Sequence, residues 1–182
     1  LSHAEAGGVE LLCIDAFPGV DPYHGLGQLA PEQLASRYGD RRPVTVEQFR
    51  FAEAVDRAFA SQNADALTAL ACMTDAPLPW VPAAFERWLQ ERPDPVTGLG
   101  RLEAMALSAI RAGCETPGTI YAAVTAAETP PQYWGDITLW AKINDLADRN
   151  PPLVTIDGPA DRLPQWESDL PFGEFRVRPT DG

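Results

Sequence analysis

Two groups of side chains have the types and spacing to do chemistry. The first is Asp15, Asp21 and His24, close together just after the apolar run VELLCIDAF (Val9 to Phe17). Carboxylates beside an imidazole are the minimum for general acid–base work. If the run is a strand, the group falls at its carboxyl end, where ligands bind in open α/β sheets. A loop histidine bonded to backbone leaves the same trace in sequence, and one histidine without clustered ligands does not define a metal site. An enzyme built on this trio would need its remaining groups from residues upstream of Leu1.

The second group lies in GDITLWAKINDLADRN, where Thr138, Lys142, Asp145 and Arg149 recur at i, i+4, i+7 and i+11. On a helix they form one stripe. Lys142 is the only lysine of the chain. With Arg176 and Arg178 in the later segment EFRVRP, the stripe has the donors of a helix and wing that read DNA. Asp145 stands mid-stripe, where it repels phosphate. The competing reading is a solvated face, or one that packs on a protein.

Other motifs weaken on inspection. GLGQLA (Gly25 to Ala30) matches a dinucleotide fingerprint in letters only: Pro18-Gly19 and Asp21-Pro22 separate it from the preceding run, and the next helix starts at Pro31. Arg41-Arg42 before Pro43 reads as a solvated turn. Cys13, Cys72 and Cys114 are far apart and odd in number, which argues against disulfides and zinc and for a reducing cytoplasm. No P-loop, nucleophile triad or H-E-x-x-H is present. No cofactor or metal is expected.

The elements that must position these groups are mostly helical. The segment at Pro31 has proline in the first turn. Thr45 with Gln48 makes a capping box, Val44 with Phe49 stands at hydrophobic-staple spacing, and Ala52, Val55 and Phe59 continue an apolar face. Asn63 caps a shorter helix carrying Leu67, Leu70 and Ala71, and VPAAFERWLQER places Val81, Phe85, Trp88 and Leu89 on one stripe. RPDPVTG then reads as a linker. Beyond it, RLEAMALSAIRAG turns Leu102, Ala106, Ala109 and Ile110 inward and stops at Gly113. Thr116 caps the next helix, and Asp136 is expected to cap the striped one, whose Trp140, Ile143 and Ala147 face inward, flanked by Leu139 and Leu146. The aromatic residues Phe85, Trp88, Trp134 and Trp140 suit core packing. PLVTID and EFRVRP can pair across a long proline-containing loop. The Val9 run stands alone as a strand, as if its sheet lay upstream of Leu1 in a longer chain.

Charge limits the partners. With 14 basic against 26 acidic residues the net charge is −12 and the pI about 4.5. General nucleic-acid binding needs the opposite balance. No segment is apolar enough to span a membrane, and no signal peptide is evident.

The stretches CIDAFPGVDPYHGLGQLAPEQLASRYGDRRPVTVEQF, GLGRLEAMALSAIRAG and GDITLWAKINDLADRNPPLV together resemble an uncharacterised bacterial family, domain of unknown function 1835. The resemblance spans about Val9 to Val154. It implies an amino-terminal Rossmann-like half that is not in this sequence and no established activity. Gly100 stands where the family pattern has Ser or Thr, and the tail after Ile156 departs from it.

The expected fold is mainly α: residues 1–98 a helical bundle with one leading β-strand, and residues 99–182 a winged-helix-like module with a short two-stranded wing. The expected function is a non-catalytic interaction or regulatory module of a cytoplasmic bacterial protein, its partner a protein or an upstream Rossmann-like domain. The alternatives are a DNA-binding transcriptional regulator acting through Thr138, Lys142, Arg149, Arg176 and Arg178, and part of an enzyme using Asp15, Asp21 and His24.

Overall fold

In the computed structural model, residues 8–21, 23–129, 132–166 and 169–180 are described. Among them the protein is mainly helical, with seven α-helices and two antiparallel two-stranded sheets. No helix is long and apolar enough to cross a membrane among these residues. The chain divides into two compact units, Leu1–Leu89 and Gln90–Gly182.

In the first unit the Val9 run is not a buried central strand. Only Glu10–Leu11 (β1) is extended, and it pairs antiparallel with Arg42–Pro43 (β2), so the strand has a partner within the chain. Val44 adds one further bond, its N–H donating to the Val9 carbonyl at 3.0 Å. Pro43 has no N–H to extend the ladder, which keeps the pair short. Val9 is exposed and Leu11 and Leu12 only half-buried, as suits a small edge sheet.

Four helices follow: α1 (Pro31–Arg37), α2 (Val46–Ser61), α3 (Ala64–Ala71) and α4 (Val81–Leu89). The caps lie where local chemistry puts them. Thr45 Oγ1 accepts from Gln48 N and Gln48 Oε1 accepts from Thr45 N, and Asn63 Oδ1 accepts from Ala66 N. The buried face of α2 is rotated from the expected one: Phe51 and Ala58 are buried, Val55 is half-buried, and Ala52 and Phe59 are exposed. Phe51, Ala58, Leu67, Leu70 and Phe85 form this unit's core. Phe59 borders it, edge-on to Phe85 and Trp88.

The second unit holds α5 (Arg101–Arg111), α6 (Pro117–Ala127), α7 (Asp136–Ala147) and an antiparallel pair, β3 (Val154–Asp157) with β4 (Arg176–Pro179). Its first residues are built in rather than linking. Asp94 N donates to Leu99 O, Gly98 N to Asp94 O, and Arg101 N to Gln90 O. The Asp94 carboxylate closes the turn by accepting from the Val96 and Thr97 amides and the Thr97 hydroxyl. That is why the division falls at Leu89 and not after this turn.

Gly100, Thr116 and Gly135 are the N-caps of α5, α6 and α7. Asp136 is thus the first residue of α7 and not its cap. Gly100 has no side chain to cap with, and Glu91 supplies the oxygens: its carboxylate accepts from Leu102 N at 3.1 and 3.2 Å. A Cβ at Gly100 would lie 2.7 Å from the Glu91 carbonyl oxygen, so glycine is the residue that fits.

The core of this unit joins Leu102, Ala106 and Ile110 of α5, Ile120 and Val124 of α6, and Leu139, Trp140, Ile143 and Leu146 of α7. Val154, Val177 and Phe175 close it beneath the sheet. Leu139 and Leu146 are fully buried, so they belong to the centre of the inward face. Each fully buried leucine or isoleucine contributes about 1.5–3 kcal/mol by leaving water. Three polar side chains, Glu103, Glu128 and Asn144, are buried in this unit. Glu128 accepts from Trp134 Nε1 at 2.7 Å and pairs with Arg101 at 2.8 Å, which fastens the chain between α6 and α7. Asn144 acts on the loop after β3, and Glu103 on α7 and the chain just after it.

Candidate functional site

Every residue proposed for nucleic-acid contact lies in the second unit, on α7 or just beyond it, or on β4. Thr138 and Asp145 are exposed on α7, and so is Ile137 in its first turn. The cations, however, turn inward onto one carboxylate. Glu103, on the first turn of α5, is buried. Its Oε2 accepts from Arg149 Nη2 at 3.0 Å and from Gly100 N at 3.1 Å, and Lys142 Nζ lies 3.6 Å from Oε1. Arg149 Nη2 also donates to the Gly98 carbonyl at 2.8 Å, and Lys142 Nζ lies 3.4 Å from Asp145. Two donors of the presumed reading stripe therefore tie α7 and the chain after it to the start of α5.

The β4 arginines are engaged as well. Arg178 stands opposite Thr155 in the strand register and bonds the neighbouring Asp157 at 2.9 Å and Glu115 at 3.3 Å. Arg176 Nη1 donates to the carbonyls of Gly173 and Phe175 at 2.7 and 2.8 Å. The Arg178 pairs are surface pairs that contribute little to stability. They still place carboxylates where a phosphate would have to sit.

The segment between β3 and β4 is held by Asn144. Its Oδ1 accepts from Leu163 N at 2.8 Å and its Nδ2 donates to Leu163 O at 2.9 Å, a two-point bond like one rung of a sheet. Leu163 is thereby drawn into the core, and Gly158 starts the excursion at φ 152°, where an added Cβ would meet Phe175 at 3.0 Å. The returning chain makes a cleft of about 340 Å³ against the first turn of α7, lined by Asp136, Ile137, Trp140, Gln165, Trp166 and Phe172 among others. Trp140 and Phe172 meet at an angle of 54°, with ring centroids 5.2 Å apart. Trp166 is 81 % exposed, an unusual solvent load for a tryptophan.

Asp15, Asp21 and His24 are exposed in the first unit, and the His24 amide bonds the Gln28 side chain. None of the three lines the cleft described in either unit. The first unit's cleft, about 350 Å³, is lined instead by Cys13, Asp40, Arg42, Thr45, Gln48 and Trp80 among others. Among the described residues no three His, Cys, Asp or Glu side chains are grouped to hold a metal ion. Cys13, Cys72 and Cys114 are free thiols.

Glu103, Asn144 and Trp166 matter most to this geometry, and the sequence reading singled out none of them. The first two bond groups far along the chain. Trp166 carried a weak signal, a large aromatic in a loop of Pro, Asp and Gln.

No protein-family model, curated protein or solved structure matches the chain.

Proposed function

We infer that the protein is a non-catalytic interaction module whose second unit is a winged-helix-like fold used for contact with a protein or another domain. The element order supports the winged-helix reading: three helices, then an antiparallel pair, with α7 in the place of a recognition helix and β3–β4 in that of the wing. The observation that carries the function is the engagement of the cations. Lys142 and Arg149 share Glu103, and Arg176 and Arg178 are bonded within the unit, so a phosphate backbone would have to compete with an internal partner at each of the four cations. Proteins of this shape serve as protein-binding modules as well as DNA readers. The exposed Ile137 and Trp166 are the type of apolar surface that marks association.

Membership of the domain of unknown function 1835 family is part of the same proposal, with an upstream Rossmann-like domain as one candidate partner. The distinguishing experiment is titration of labelled duplex DNA with the protein. Absence of binding at low salt supports the contact module, and salt-sensitive binding selects the DNA-reading alternative.

A further inference from the structure

We propose that the cleft at the start of α7 is a binding site for a small organic ammonium ion, a methylated amine in particular. Three aromatic residues, Trp140, Trp166 and Phe172, are among those that line it. Trp140 and Phe172 form a corner, 5.2 Å between centroids and 54° between planes, and Trp166 adds a third ring at the solvent edge. Aromatic faces carry negative quadrupole charge, and tryptophan attracts a cation most strongly.

The charge of the lining has the matching sign. Among the described residues Asp136 is the one ionisable side chain lining it, and no lysine or arginine does. The Asp136 Oδ1 accepts from Ile137 N at 2.8 Å, which ties the carboxylate to the helix end. The start of α7 itself contributes about half a positive charge, which the full negative charge of Asp136 outweighs. Arg176, nearby in sequence, is committed to the carbonyls of Gly173 and Phe175.

Size and polarity narrow the ligand. About 340 Å³ is at the small end of ligand pockets. Ile137, Pro164 and Leu170 give apolar walls that suit methyl groups, and among the described lining residues only Asp136 and Gln165 carry side-chain oxygens, too few to cage a bare metal cation. A methylated ammonium ion meets each requirement: diffuse positive charge, an apolar surface and small volume. This site goes beyond the contact function above: it shares Ile137 and Trp166 with the surface assigned there to association, and ligand binding by the chain alone does not require a partner.

The test is isothermal titration calorimetry of the full chain with choline, tetramethylammonium and 3,3-dimethylbutan-1-ol, the neutral isostere of choline, at constant ionic strength. The cations are expected to bind and the neutral alcohol to bind about tenfold more weakly or not at all. Trp166→Ala and Asp136→Asn should each weaken choline binding about fivefold or more. Trp166 is so exposed that its loss should leave the thermal unfolding curve in place, so a lost signal in that variant reports the site and not misfolding. Equal binding of the alcohol, heats no larger than those of sodium chloride, or affinity unchanged in both variants would overturn the proposal.

Discussion

Single side chains hold the second unit together at points where backbone ladders do not reach. Asn144 replaces a strand by bonding both the amide and the carbonyl of Leu163. Asn144→Ala should cost about 2–4 kcal/mol in urea unfolding, since two bonds are lost and two backbone groups are left unpaired beside the core. Gly100→Ala should cost about 1–3 kcal/mol, because the new methyl meets the Glu91 carbonyl at 2.7 Å and the chain has to shift. Asp94 adds a pH dependence. The Thr97 amide first, then the Val96 amide and the Thr97 hydroxyl, hold its carboxyl below the usual range. A lowered folded-state value means that the turn is supported above the unfolded-state pKa and loses that support as pH falls through the lowered one. NMR titration of the Asp94 carboxyl should show the depression, and Thr97→Val should reduce it. The caps at Thr45, Asn63 and Thr116 were legible in sequence because donor and acceptor lie within one turn. Asn144, Glu91 and Glu103 were not, since their partners are 19, 11 and 46 residues away.

At the scale of elements, periodicity named the helices better than it oriented them. The stripe of α4 and the apolar face of α5 are as their spacing implies. For α2 the spacing pointed to a face through Ala52, Val55 and Phe59, and the chain instead buries the one through Phe51 and Ala58, in a core shared with Leu67 and Leu70 of α3. Phe51→Ala should therefore cost about 3–5 kcal/mol, and Phe59→Ala distinctly less because that ring is already 45 % exposed. Comparison of the two chemical unfolding midpoints tests the assignment. The Val9 run shows the opposite error. An apolar run signals burial without naming the partner, and Arg42–Pro43 is too irregular to read as a strand in sequence. The β3–β4 pair was visible in the segments PLVTID and EFRVRP, but nothing local indicated that the loop between them would build a cleft against α7.

Across the whole molecule, two separate cores imply two units of structure. Residues 90–182 expressed alone should unfold in one cooperative transition with Trp134 and Trp140 still shielded in the native state, since their burial rests on groups within that segment. The acidic balance and the basic stripe pointed to different partners in sequence, and the arrangement in which Glu103 collects Lys142 and Arg149 was legible only in three dimensions. The exposed positions of Asp15, Asp21 and His24 add no support for the enzyme alternative.

The most direct measurement of the central claim is fluorescence anisotropy of labelled random-sequence duplex DNA, titrated with the full chain across a salt series. The internally paired cations predict no binding even at low salt. A dissociation constant tighter than about 10⁻⁴ M at physiological salt, weakening steeply as salt rises, would contradict that account and identify a DNA-contacting surface.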